Sequence, residues 1–182
     1  MKRTLWAVLI AGALALPSWA QNYDEGDDPD HGVARLSLMN GDVTVRRGDT
    51  GEVVAGELNA PLVALDHVLT GQGSRAEVQF DWATMIRLGP VSEVRLGELT
   101  DGNYLVQVAE GQTTLRILRD TKAQVEISTP TVSVRPTQQG TYRITVRPDG
   151  ATEVTVRDGQ AEIFTPRGSE VLREGKTLQA RG

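Results

Sequence analysis

Regular alternation of apolar and polar residues begins at Val33 and limits the fold of this 182-residue chain more than any other feature. In one clear segment, Tyr142, Ile144 and Val146 alternate with polar side chains. Successive side chains of a β-strand point to opposite faces, so a period of two predicts strands with one buried and one hydrated face. The same period recurs in the segments 43–46, 76–81, 125–128 and 154–157. Helical spacing is not sustained after residue 20, and the sequence therefore predicts an all-β fold.

Turn-forming residues divide the chain into short segments. The chain has 19 Gly and 8 Pro, a content that is typical of many strands joined by turns. The clearest hairpin joins strands at 143–146 and 153–156 through Pro148, Asp149 and Gly150. Proline fixes the first turn position, aspartate can bond its own backbone and glycine supplies a positive φ, so this segment predicts a tight turn.

Two recurrent segments indicate repeated units within the fold. Residues 124–130 recur about 36 residues later as residues 160–166, with Gln, Glu, Ile, Thr and Pro conserved between the two copies. Glycines that precede strands or end them are predicted to supply turns, namely Gly41, Gly71, Gly111, Gly140 and Gly159. These recurrences predict many short strands in a β-solenoid-like roll. A β-sandwich that contains two duplicated hairpins is the alternative.

The first 20 residues have the features of a secretory signal peptide. Lys2 and Arg3 precede an apolar run at 5–16, and Pro17 ends that run before small residues at positions 18 and 20. A spanning helix needs roughly 20 apolar residues, and this run is shorter. We expect cleavage after Ala20, no transmembrane segment in the mature chain, and a periplasmic or secreted location. Removal of Lys2 and Arg3 changes the net charge from -5 to -7.

An acidic segment at 21–32 follows the predicted cleavage site and contains almost no apolar residues. We expect it to be a flexible, hydrated tail that precedes a β domain at 33–182. Its carboxylates do not have the spacing of a calcium-binding loop, so no metal site is predicted there.

An ordered series of short segments is similar to the FecR domain family. The series begins with Gly-Asp-Val-Thr-Val at 41–45 and Leu-Val-Ala-Leu-Asp-His-Val-Leu-Thr-Gly at 62–71. It continues through the segments 74–80, 88–96, 106–111, 128–130, 140–146, 156–159 and 175–178. The order and spacing of these segments resemble the family from about Val33 to Gly182.

The resemblance implies an all-β, periplasmic domain for signalling or binding. The best-known members of the family are transmembrane regulators that control a cytoplasmic sigma factor and contact an outer-membrane transporter. This sequence has no cytoplasmic segment before its apolar run, which favours an exported FecR-like protein without the sigma-regulator segment. It also differs at two family turns, where Leu65-Asp66 replaces the usual Gly-Asp and Asp81-Trp82-Ala83 replaces the usual Asp-Gly-Ser.

The residues that usually carry enzyme chemistry are sparse. There is no cysteine, and the two histidines are His31 in the tail and His67 in a predicted turn. A pair of carboxylates could in principle cleave glycosides, and the candidates are Asp66, Asp81, Glu93, Glu98 and Glu110. No phosphate-binding loop is present, and an acidic chain disfavours nucleic acid. The sequence therefore predicts a non-enzymatic protein without cofactor, metal or nucleic-acid partner.

Trp82 is the one candidate for a partner-binding residue. It is the only tryptophan of the mature chain, because Trp6 and Trp19 leave with the signal peptide. Alternation along the strand places Trp82 at the end of the buried face of Ala76, Val78 and Phe80. This position favours a ring that caps the core. The second interpretation is that Trp82 is an anchor for recognition of a partner. We expect a binding or signal-sensing module that contacts a protein or an envelope glycan. A structural envelope protein is the alternative.

Overall fold

The structure, a computed structural model, describes residues 32–120 and 123–181. The predicted signal peptide and all of the predicted tail except Gly32 lie outside the described residues. The described residues contain no α-helix. They form sixteen strands: β1 (Ala34–Asn40), β2 (Val43–Arg46), β3 (Val53–Ala55), β4 (Pro61–Leu62), β5 (His67–Thr70), β6 (Arg75–Gln79), β7 (Thr84–Leu88), β8 (Ser92–Leu99), β9 (Asn103–Ile117), β10 (Gln124–Ser128), β11 (Ser133–Pro136), β12 (Gly140–Val146), β13 (Thr152–Asp158), β14 (Gln160–Thr165), β15 (Gly168–Arg173) and β16 (Thr177–Ala180).

All sixteen strands are connected in one mixed sheet that has two wings. The first wing has the order β4-β1-β6-β7-β9-β12-β13-β16, and the second has the order β3-β2-β5-β8-β9-β10-β11-β14-β15. Strand β9 belongs to both wings. Its first half pairs with β8 and β10, and its second half pairs with β7 and β12. The all-β prediction is confirmed.

The solenoid-like detail of the prediction is not confirmed. A β-solenoid stacks its coils through parallel strands. Here β9 and β10 are the one parallel pair among the described strands, and every other pairing is antiparallel. Buried side chains from both wings form one hydrophobic cluster, so a single core lies between the wings, which is closer to the sandwich alternative.

The core is built from the alternation that the sequence contains. Tyr142, Ile144 and Val146 of β12 are all buried, with exposed fractions of 0–2%. The inward positions of β2, β6, β10 and β13 are buried in the same way. The strand positions inferred from period two are therefore confirmed.

Strand β9 changes its inward face where it passes from one wing to the other. Before the change its buried residues are Tyr104, Val106 and Val108; afterwards they are at positions 113, 115 and 117. The shift by one position accompanies a bulge opposite Glu93 and a φ of 94° at Gly111. A bulge kinks the strand, so β9 keeps one face on the core in both wings.

The predicted hairpin and repeat both have definite places in the sheet. Strands β12 and β13 pair antiparallel, and the Gly150 N–H donates to the carbonyl of Arg147 at 2.8 Å across their turn. The two repeat copies form β10 and β14, which lie on either side of β11 in the second wing. The described part of the chain contains no helix long and apolar enough to cross a membrane.

Candidate functional site

A groove lies at one end of the molecule, where three chain segments meet. It is lined by the segment that enters β1, the end of β6 and the turn from β8 to β9, and its volume is about 380 Å³. The Gly32 N–H donates to the Leu99 carbonyl at 3.0 Å, and the Thr100 N–H donates to the Asn103 carbonyl at 3.1 Å. These bonds hold the walls of the groove together.

Two aromatic rings form the floor of the groove. Phe80 and Tyr104 stack with their centroids 5.1 Å apart and their planes at 20°. The Tyr104 hydroxyl donates to Oδ2 of Asp81 at 3.1 Å, and Oδ1 of Asp81 accepts from the backbone N–H groups of Ala83 and Thr84, both at 2.6 Å. One carboxylate therefore fixes both the β6–β7 turn and the ring that faces it.

The environment keeps Tyr104 protonated. Burial raises the pKa of Tyr104 to about 12, and the charges of Asp81 and Asp101 together with the hydrogen bond to Asp81 act in the same direction. The phenol is therefore a neutral donor at physiological pH. An arrangement of neutral phenol and carboxylates can bind polar or cationic groups, whereas it offers no activated nucleophile.

Trp82 directly follows Asp81, which lines the groove, so it lies at the rim, and it is not part of the core. The residue is 60% exposed, so the interpretation of a ring that caps the core is wrong. The guanidinium carbon of Arg119 lies 4.4 Å from the ring centroid, within the range of a cation–π contact. Leu118, whose N–H donates to the Ala83 carbonyl at 2.9 Å, and Val33, which lines the groove, are also exposed, at 47% and 57%. This end of the molecule therefore presents exposed apolar side chains.

The other candidate catalytic residues have partners that suit structural roles. Asp66 is fully buried, contacts Nη1 of Arg47 at 2.8 Å and accepts from the backbone N–H groups of Gly48 and Val63. His67 opens β5 instead of lying in a turn, and its Nδ1 lies 3.1 Å from Oε1 of Glu93.

The remaining candidate carboxylates lie on different parts of the molecule. Glu93 and Glu110 lie opposite each other at the bulge, and Glu98 precedes Leu99, which lines the groove. Within the described ranges no group of three metal-ligating side chains is close enough to hold an ion.

Four of the five predicted turn glycines lie where a side chain would meet another part of the chain closely. Gly41, Gly111 and Gly159 have φ angles of 79°, 94° and 90°. At Gly140 an added Cβ would overlap the carbonyl oxygen of Asp158. The turn that contains Gly71 takes its positive φ at Gly73 instead, with a value of 69°.

Sequence reasoning did not identify Asp101 and Arg119 as parts of the site, and it named Glu98 only as a candidate catalytic carboxylate. Asp101 lies in the β8–β9 turn, Glu98 is the last residue but one of β8, and Arg119 follows β9. A two-residue Asp101-Gly102 turn signal before β9 is visible in the sequence. The position of Asp101 relative to Trp82 depends on long-range strand pairing, which local sequence patterns do not specify.

Comparison with known proteins assigns a family. The family model described as "FecR protein" matches residues 66–162, which is more than half of the chain. This range contains the β6–β7 turn, Trp82 and the start of β9. No curated protein matches the chain.

Solved structures share the fold. Two crystal structures of a proposed anti-sigma factor from Parabacteroides distasonis ATCC 8503 match with a TM-score of 0.55, at 21% and 20% identity. Each alignment covers 62% of this chain and 53% of the other, so this chain spans about half the length of those proteins. At this identity the likeness concerns the fold alone.

Proposed function

The chain belongs to the FecR protein family, and from this membership we propose that it is a non-enzymatic regulatory module that works in the periplasm and binds a protein partner. The segment at 1–20 would direct its export and be removed. The groove and Trp82 would form the surface that meets the partner. The proposal rests on the family together with the site, since the similar crystal structures support only the fold.

One observation carries the assignment of the surface, namely the exposure of Trp82. Burying the ring in the core of this molecule would have stabilised the fold, yet 60% of the residue faces solvent. Tryptophan is enriched among the residues that dominate interface energies, and it is effective when neighbouring contacts exclude water. The exposed side chains of Leu118 and Val33, at the same end of the molecule, would supply such contacts. A uniformly polar surface, which a purely structural envelope protein would favour, is not what this end of the molecule presents.

Site-specific cross-linking in the native host tests the proposal. A photo-reactive aromatic amino acid is placed at position 118, which leaves Trp82 intact. We expect a discrete adduct in the periplasmic fraction, formed by a protein whose N-terminus is Gln21. The same amino acid at position 53 is the matched control, because Val53 is 64% exposed and lies in β3 of the second wing.

The Trp82→Ala variant separates binding from folding. We expect its free energy of unfolding to stay within about 0.5 kcal/mol of the parent, since surface changes usually have effects of this size. We also expect the adduct at position 118 to be lost. Equal adducts at positions 118 and 53, or an adduct that survives Trp82→Ala at equal folded concentration, would contradict the proposed surface. Recovery of a chain that still begins with Met1 in the membrane fraction would contradict export with processing.

A further inference from the structure

The groove beside Trp82 continues into two neighbouring cavities and forms a trough. One neighbour of about 380 Å³ shares Val33, Phe80 and Asp81 with it. The other, of about 580 Å³, shares Tyr104 and extends along the outer face of the second wing between β9, β10 and β11. Each cavity has the volume of a small-molecule site, and the three lie side by side. This shape suits an extended chain better than one compact ligand.

The trough has a strong excess of negative charge. The three cavities together are lined by five carboxylates and by two cationic side chains, Arg35 and Arg135. The carboxylates are Asp81, Glu98, Asp101, Glu126 and Glu162. Like charges gathered in a concave surface focus the local potential, so the trough attracts cations and repels anionic polymers.

Three of these carboxylates can accept further hydrogen bonds or ion pairs. Arg135 is engaged with Glu126 at 2.8 Å, and Asp81 is engaged by the turn and by Tyr104. Glu98, Asp101 and Glu162 make no hydrogen bond or ion pair with another described side chain. An incoming guanidinium or ammonium group could therefore pair with them without displacing an existing partner.

The rim already binds a cation of the same chemistry. Arg119 lies over the Trp82 ring at 4.4 Å, and both side chains are exposed. A guanidinium carried by a partner could take the place of Arg119 on the ring, because an exposed cation–π contact is worth only ~0.5–1 kcal/mol.

We propose that the trough beside Trp82 binds an extended, arginine- or lysine-rich segment of a protein partner. The inference rests on the proposed function and names the chemistry of the partner at the same surface. The basic side chains would pair with Asp101, Glu98 and Glu162, and the Trp82 ring would cover one of them. Neutral and acidic chains, including anionic glycans, would bind weakly.

Fluorescence of the mature protein tests the charge preference directly. Trp82 is its only tryptophan, so its emission reports on the rim. The probes are a synthetic peptide in which arginine alternates with threonine and an equally long peptide in which glutamate replaces arginine. We expect a saturable change of emission with the arginine peptide alone, and weaker binding as salt screens the charges.

Charge-neutral variants locate the binding. We expect Asp101→Asn and Glu98→Gln each to weaken arginine-peptide binding by about threefold to tenfold, as loss of a charge pair at an interface does. Glu170→Gln is the matched control, because Glu170 is an exposed carboxylate on β15 that does not line the trough. We expect its affinity to equal that of the parent.

The outcomes separate this inference from the proposed function. Equal binding of both peptides, no saturable binding of the arginine peptide, or equal affinities of Asp101→Asn and Glu170→Gln would overturn the inference. If the adduct at position 118 still depends on Trp82, the proposed function would stand, with a partner of different chemistry. Preferential binding of a neutral glycan oligomer in the same assay would also overturn it.

Discussion

Leu65 occupies a turn position whose backbone conformation favours glycine. Its φ is 72°, in the left-handed region that glycine adopts freely and that a side chain with a Cβ disfavours. This is the position at which the resemblance to FecR domains places a usual glycine. The next residue, Asp66, is fully buried and bonded to Arg47 and to two backbone N–H groups. The turn therefore keeps its shape through Asp66 while Leu65 carries strain.

Replacement of Leu65 by glycine should stabilise the protein. The left-handed conformation costs a residue other than glycine roughly 1–2 kcal/mol, and the added flexibility of the unfolded chain offsets part of the gain. We expect Leu65→Gly to raise the free energy of unfolding by about 0.5–1 kcal/mol in urea titrations. Leu65→Ala retains the Cβ and the strain, so it should be no more stable than the parent. A Leu65→Gly variant that is less stable than Leu65→Ala would contradict the expected strain.

Trp82 occupies the other altered family turn without comparable strain. No positive φ occurs between Asp81 and Ala83, and Oδ1 of Asp81 binds the two backbone N–H groups that follow. A side chain larger than glycine is therefore tolerated at this position. The ring can face solvent at no cost to the backbone, which leaves it available for a partner.

Strand β9 is the element on which the two wings depend. It passes from β8 and β10 to β7 and β12, and Gly111 marks the change. A Cβ at Gly111 would lie 2.5 Å from Cα of Ser92 and from the carbonyl oxygen of Val91. Both contacts involve backbone atoms, of Ser92 at the start of β8 and of Val91 just before it, so no side-chain movement can relieve them.

Substitution of Gly111 should therefore be costly. We expect Gly111→Ala to lower the free energy of unfolding by about 3 kcal/mol or more, because backbone strain and steric overlap add. Gly102→Ala is the control: Gly102 precedes β9, has no positive φ and has no atom within 4 Å of an added Cβ. Its midpoint in urea should lie close to that of the parent. Similar midpoints for both variants would show that the kink of β9 is adaptable.

Local patterns predicted the strands well and their arrangement poorly. Period two located β2, β6, β10, β12 and β13, because inward residues alternate wherever one face is buried. The solenoid-like arrangement was not confirmed, since a repeat such as 124–130 and 160–166 specifies two similar strands but not their neighbours. Those neighbours are set by long-range pairing, in which β11 lies between β10 and β14.

The candidate site was predicted only in part for a related reason. Trp82 was identified from composition, because it is the sole tryptophan after signal cleavage. The exposure of Trp82 was not predicted. Alternation along β6 would place Trp82 on the same buried face as Phe80, but the chain leaves the strand and forms a turn at Asp81. Arg119 approaches this turn through the pairing of β7 with the end of β9, whereas Asp101 is positioned by the pairing of β8 with the start of β9, and local patterns specify neither contact.

At the scale of the whole molecule, the shared strand and the single core predict cooperative unfolding. Neither wing can lose β9 without exposing inward side chains of the other, so partly unfolded forms should be scarce. Trp82 fluorescence reports on the first wing. A Phe164→Trp substitution in a Trp82→Phe background would report on β14 of the second wing.

We expect the urea transitions of these two reporters, each compared with far-UV circular dichroism of the same variant, to have coincident midpoints and equal m-values. The two variants can differ in absolute stability, which is why each reporter is judged against its own dichroism curve. A fluorescence transition that precedes the dichroism change in either variant would show that one wing unfolds alone. In that case the trough beside Trp82, which draws residues from β6 of the first wing, β8 of the second and β9 of both, would be assembled from parts that move independently.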